Sequence, residues 1–306
     1  LQQKLVARIK RENEADGPNA ATPNDQAVSN VVNSKSSART KANSRKRQRK
    51  QPARADLSGN NESAVTLVVG GSMVDECLEP ACTFSMSSRW LMLEAGIDFK
   101  VVMIDMINKP KWFVEETAGT TPAAKIDGEW ICDSAEIRAA LRAKWPSEMA
   151  GLVGRECAFD VMEAQGSLMG EMFGFLMSAP GSEGRASMRA GLRDALGVVD
   201  AHLSSMSECG GLWCGEGLSE EDTVIAPFLS CLCTAVNLYG GLDVCAYYPS
   251  IWRYLCRIRA VSSSFVYVLG EKYEASVQEG FDSHPKFADK FTVPAVTLVV
   301  GGSMVD

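Results

Sequence analysis

Cys82 is the residue whose type and position best suit covalent chemistry. It stands in Cys82-Thr83-Phe84-Ser85, after a strand and a loop, where a helical pattern begins. The first turn of a helix carries unpaired backbone N–H groups and the positive end of the helix dipole, and both stabilise a thiolate. A thiolate so placed is a nucleophile toward disulfides and electrophilic carbon. Ser85 occupies the position three residues on, so a helix-capped dithiol is absent and a one-thiol site needs an outside thiol to finish a cycle. On the residues alone, a buried structural thiol is an equal reading of Cys82. Cys77 is a minor candidate for a resolving partner, and the other eight cysteines read as core or surface thiols. Cys231-Leu232-Cys233 has the wrong spacing for zinc and lacks partners. His202 and His284 are the only histidines, so neither a metal site nor a Cys–His protease is expected.

The elements that must position Cys82 follow from the local pattern. Val65–Val69 is an apolar run suited to a buried strand, and a long loop is expected from Val69 to Cys82. The spacing of Phe84, Ser88, Leu91 and Ala95 predicts a helix over Cys82–Ala95, with Gly96 ending it. A strand over Phe99–Ile104 and a short helix opened by Asn108-Lys109-Pro110 come next. Ala123–Ile126 turns at Asp127-Gly128, a strong hairpin signal, into Glu129–Cys132. Ser134–Lys144 is a helix with Ser134 as N-cap. The order β-α-β-α-β-β-α is that of a thioredoxin-like fold. The remainder reads as all helix: Met188, Leu192, Leu196, Val199 and Leu203 form one stripe, Ser219–Asp222 has capping-box spacing, and Tyr248-Pro249-Ser250 precedes a further helix.

The charge of the whole chain, −7, hides a split. Residues 1–60 carry +8 and the remainder −15, and the first 64 residues contain no aromatic, Met or Cys. Such a segment has too little to bury to offset the entropy of ordering, so 1–61 is expected to be a disordered basic linker. Its run Arg45-Lys46-Arg47-Gln48-Arg49-Lys50 reads as a solvated linker before a nuclear signal or nucleic-acid contact, and no firm nucleic-acid partner is expected. Residue 1 is Leu, so a transit peptide is not judged; the cytoplasm is expected, with plastid or nucleus as alternatives. Ala64–Asp75 and Ala295–Asp306 share the same twelve letters, AVTLVVGGSMVD. The expectation is a tandem array in which 295–306 is the first strand of a truncated unit and further units are adjacent. No uninterrupted run of 18 apolar residues occurs, and no membrane span is expected.

Cys82-Thr83-Phe84-Ser85, Asn108-Lys109-Pro110-Lys111-Trp112-Phe113, Thr121-Pro122, Asp133-Ser134 and Ser219-x-x-Asp222 occur in an order that resembles the cysteine-type glutathione transferases. The likeness is to dehydroascorbate reductases and the omega class, with chloride intracellular channels as relatives, over about Ala64–Phe291. It implies the glutathione transferase fold: an α/β thioredoxin-like N-terminal domain at 64–146 plus an all-α C-terminal domain at 154–291. It also implies a glutathione-dependent thiol transferase or dehydroascorbate reductase, with glutathione as co-substrate and a small oxidised or electrophilic substrate as partner. Cys82 would be the nucleophile that forms a mixed disulfide with glutathione. Thr121, before a cis Pro122, would pair its backbone with the cysteinyl backbone. Asp133 and Ser134 would hold the γ-glutamyl end, Lys109 the glycine carboxylate, and Phe84 would line the site. Thr83 stands where the family has Pro, Ser87 where it has Arg, and Thr223 where an apolar residue is usual, while Leu67–Val69 lacks a lysine found in the reductases; Arg89 matches a second omega-class Arg. The alternative is a non-catalytic binding or scaffold module of the same fold.

Overall fold

The computed structural model describes residues 65–153, 157, 159–179 and 181–283. The basic segment 1–61, the repeated twelve residues 295–306 and the ends of the 154–291 region lie outside them. Five strands build the sheet: β1 Val65–Val74, β2 Cys77–Pro80, β3 Lys100–Asp105, β4 Ala123–Ile126 and β5 Glu129–Ile131. β1 pairs parallel with β3 on one side and antiparallel with β4 on the other, and β4 pairs antiparallel with β5. Helices α1 Thr83–Glu94, α2 Lys111–Thr117, α3 Ser134–Lys144 and the one-turn α4 Pro146–Met149 complete this half. Val65, Leu67 and Val69 pack with Leu91, Met92, Ile137 and Leu141 on one face of the sheet. Val68 packs with Val102, Ile104 and Phe113 on the other. A strand buried on both faces reads as a continuous apolar run, which is why β1 shows no alternation.

The expected loop after Val69 is a strand instead. β1 runs on to Val74 and turns at Asp75-Glu76 into β2, with Val74 opposite Cys77 and Gly71 opposite Pro80. Both turn residues have positive φ, 48° and 68°, as a two-residue hairpin of right-handed twist requires. The hairpin gives the last helix a place to dock: Ser276 Oγ donates to Pro80 O, and Lys272 pairs with Asp75.

The second half is α5 Val161–Met177, α6 Glu183–Ser205, α7 Glu220–Ala235 with a π turn Val236–Gly240, α8 Val244–Tyr247, α9 Pro249–Val261, α10 Ser263–Leu269 and α11 Tyr273–Asp282. Leu192, Leu196, Val199 and Leu203 of α6 are buried, but Met188, expected in the same stripe, is 42% exposed. It lies across Gly174 of α5 at the edge of the packed face, not inside it. The capping box is present: Ser219 Oγ accepts from Asp222 N, and Asp222 accepts from Ser219 N. Thr223 is fully buried and satisfies its own hydroxyl by donating to Glu220 O at 2.7 Å, so a polar residue is tolerated at an apolar position. Among the described residues Glu220–Gly240 is long and apolar enough to cross a bilayer, contrary to the expectation that none would be. Its charges cluster in one turn at the start, and 67% of the apolar window is buried in the protein's own core.

α1 belongs to both cores. Leu91 and Met92 join the sheet's core, while Met86 and Trp90 join the helical one beside Phe228, Leu232 and Phe265. Trp90 Nε1 donates to Ser262 Oγ, the cap of α10, and to Glu94 at 2.9 Å each. A helix buried on nearly all sides has little freedom, and its first residue is held to match.

His202 of α6 sits against the rings of Phe159 and Trp213, with Nε2 2.9 Å from Trp213 O. Burial pushes its pKa below the usual 6.5, against a rise from the Trp213 carbonyl. The unfolded chain therefore binds a proton that the folded one refuses. Stability is expected to be full above 6.5 and to fall as pH drops through that value and the lower folded one. Urea midpoints at about pH 5 and about pH 8 check this, and His202→Gln should flatten the difference.

Candidate functional site

Cys82 is the N-cap of α1, in extended backbone at φ −83° and ψ 113°. Its N–H donates to Gly70 O at 3.2 Å, and its carbonyl accepts from Met86 N at 3.0 Å. No side chain caps this first turn, and no acidic residue lies in it. Asp133, Asp160, Ser182, Ser219, Asp243 and Ser262 each cap the helix that follows them, while α2, α4, α9 and α11, like α1, have no side-chain cap. The amide end of α1 is thus left to the sulfur. Cys82 is 9% exposed, buried but not sealed.

The second part of the site is the loop from Gly119 to Pro122. The Thr121-Pro122 bond is cis. The Cys82 thiol donates to Thr121 O at 3.7 Å, so these two sequence-predicted residues are in direct contact. Lys109, exposed at the entry to α2, donates through Nζ to Gly119 O at 2.7 Å and ties its own loop to this one. Cys132, beyond β5, meets the Thr120 hydroxyl; burial pushes its thiol up and that bond holds it down. The segment bearing Asp133 and Ser134 is therefore brought beside Thr120 and Thr121.

Asp133 rather than Ser134 is the N-cap of α3. Its Oδ1 accepts from Ala135 N at 2.7 Å and Glu136 N at 3.2 Å. The helix spans Ser134–Lys144 as expected, but its cap lies one residue earlier, because the acidic side chain is the better placed acceptor. Both cap bonds fall on one oxygen, so Oδ2 stays open on an exposed residue. Phe84 is half-buried in the first turn of α1 and Pro122 is buried. Cys77 begins β2, exposed at the hairpin turn, with the rest of that strand between it and Cys82.

One residue that the sequence did not mark as functional, Gly70, holds this arrangement. Gly70 O accepts from both Ala81 N and Cys82 N, while Gly70 N donates to Ser85 Oγ at 3.2 Å. A Cβ at Gly70 would lie 2.7 Å from Met106 Sδ and 2.8 Å from Thr121 Oγ1. The glycine pair in GGSMVD was the only signal. Gly70→Ala is expected to destabilise the fold by about 1–3 kcal/mol through overpacking, and to lower turnover further by moving Thr121 from Cys82. A denaturant titration beside a rate measurement separates the two effects.

The model of the glutathione S-transferase N-terminal domain matches residues 81–144, and that of the C-terminal domain matches residues 156–263. The chain belongs to the glutathione transferase superfamily. Within that superfamily, this transferase is 28% identical over 164 residues to the Arabidopsis thaliana protein named glutathione S-transferase DHAR2, covering 53% of this chain and 72% of that one. It is 24% identical over 201 residues to the chloroplastic DHAR3 of the same plant, covering 62% and 74%. Among solved structures, Chlamydomonas reinhardtii dehydroascorbate reductase superposes with a TM-score of 0.61 at 22% identity over 72% of this chain and 98% of that one. The Caenorhabditis elegans chloride-channel homologue EXC-4 gives 0.57 at 15%, over 71% and 81%. These likenesses carry the transferase fold: a thioredoxin-like half followed by a helical half.

Proposed function

We propose that this transferase reduces dehydroascorbate or small disulfides with glutathione, using Cys82 as its single nucleophile. The observation that carries the reading is the sulfur at the uncapped head of α1, 3.7 Å from the carbonyl of Thr121. In the first step the Cys82 thiolate adds to the oxidised substrate. One glutathione displaces the reduced product and leaves a Cys82–glutathione mixed disulfide. A second glutathione attacks the glutathione sulfur, and glutathione disulfide leaves with Cys82 restored. Two electrons pass from two thiols to one substrate.

On this reading each neighbour of Cys82 takes a role toward the tripeptide. When Cys82 loses its proton, Thr121 O loses the thiol's hydrogen bond and is free to accept the cysteinyl N–H of glutathione. The N-terminus of α3 at Ser134 suits the γ-glutamyl carboxylate, and the open oxygen of Asp133 suits its ammonium. Lys109, on releasing Gly119 O, would take the glycine carboxylate.

The test is direct. After incubation with glutathione disulfide, peptide mass mapping is expected to find the glutathione adduct on Cys82 and steady-state assays to find dehydroascorbate turnover. An unmodified Cys82 with no turnover would leave a binding module of this fold.

A further inference from the structure

A second pair of sulfur atoms lies in the helical half. Cys233 is in the last turn of α7 and Cys245 in the one-turn helix α8. Both are half-buried, and both line a cavity of about 190 Å³ with Ser230, Trp252, Arg259 and Glu274. Each thiol is the largest influence on the other's proton: Cys245 is pushed below the usual thiol range and Cys233 well above it, burial adding to the rise at Cys233. Arg259 favours the ionised form of both and Asp243 opposes it. One thiol is thus readied to attack while the other keeps the proton. Ser230 supplies an independent observation. It is 3% exposed, lines the same cavity, and its Oγ has no hydrogen-bond partner among the described residues. A buried hydroxyl left unpaired costs about 1–3 kcal/mol. The cavity therefore suits a small guest that both donates and accepts hydrogen bonds.

We propose that Cys233 and Cys245 form a second redox site, a dithiol that hydrogen peroxide oxidises to an intrachain disulfide. The cavity is smaller than the roughly 300–1,000 Å³ of sites for drug-sized ligands, which favours a peroxide over a tripeptide disulfide. Cys245, having lost its proton, attacks one peroxide oxygen. The S–O bond forms, the O–O bond breaks, and the leaving hydroxide takes that proton to become water. Cys233 then gives up its proton and attacks the Cys245 sulfur. The S–S bond forms, the S–O bond breaks, and the second hydroxide leaves as water. Two thiols lose two electrons and two protons, and one peroxide becomes two waters. The bond would close the segment from α7 to α8 around the π turn, from which Tyr239 reaches Gln278 and Asp282 of α11.

The full chain is treated with hydrogen peroxide, quenched at intervals with N-ethylmaleimide, and cleaved by chymotrypsin without reduction. Cleavage after Leu232 separates Cys233 from Cys231, and cleavage after Tyr239 or Leu242 separates it from Cys245. A Cys233–Cys245 linked peptide is expected, forming at least about tenfold faster than the exposed Cys209 and Cys256 lose labelling. It should form equally in Cys82→Ser, which keeps this inference separate from the reading of Cys82. Cys245→Ser should leave Cys233 open to the maleimide. Labelling at Cys233 and Cys245 that decays no faster than at Cys209, or linkage of either to another cysteine, overturns the proposal, and the wild-type map alone decides should the variant not fold.

Discussion

Cys82→Ser is expected to lower glutathione-dependent reduction of dehydroascorbate and of hydroxyethyl disulfide by roughly a thousandfold, about 4 kcal/mol of transition-state free energy. The hydroxyl stays protonated where a thiol can ionise, and an alkoxide is a far poorer leaving group from the adduct with glutathione. The fold is not expected to suffer. Cys82 occupies an N-cap position without making a cap bond, and serine is among the residues preferred there. The serine hydroxyl can accept from the free N–H groups of the first turn, so stability should hold or rise by up to about 1 kcal/mol. Rate and stability thus move in opposite directions, which no unfolding artefact produces. Rates measured alongside urea midpoints would read both, and wild-type turnover in the serine variant would end the assignment.

The sequence showed the site's parts better than the contacts that assemble them. Cys82 at a helix start and the hairpin at Asp127-Gly128 are local features, written in adjacent residues, whereas the cis bond before Pro122 follows from the family resemblance alone. The α3 cap was misplaced by one residue because Asp133 and Ser134 are both good caps and only geometry ranks them. The β1–β2 hairpin was read as a loop because its turn is Asp75-Glu76, and Glu gives no signal for the positive φ it adopts. Gly70 was legible only as a glycine. Its need to lack a Cβ comes from Thr121 and Met106, distant in the chain. Met188 kept the helical period yet fell off the packed face, since periodicity says nothing of where a neighbouring helix ends. Charged residues hid the most: Glu220, in the acidic first turn of α7, reads as a solvated cap.

Glu220 is the subject of the second large effect, because it is buried and joins the two halves. Its side chain is 3% exposed, and it accepts from Arg142 Nε at 2.7 Å and Nη2 at 2.6 Å while facing Arg138 Nε at 3.2 Å. Both arginines lie on α3 of the thioredoxin-like half, and Glu220 N donates to Leu152 O at 2.9 Å. The two arginines differ. Arg142 is 52% exposed, so its bidentate pair is screened and adds about 0–1 kcal/mol, although the Glu220 bond pushes its pKa up. Arg138 is 10% exposed, and burial pushes its pKa down against the pull of Glu220. Glu220→Ala leaves that guanidinium buried without its counter-charge, and is expected to destabilise the fold by about 3–5 kcal/mol. Adding Arg138→Met removes the stranded charge and should recover a large part of the loss, since an apolar replacement of a buried pair is often near neutral. If the double variant is instead as unstable as the single one, the stranded charge is not the cause, and the loss lies in the start of α7 itself.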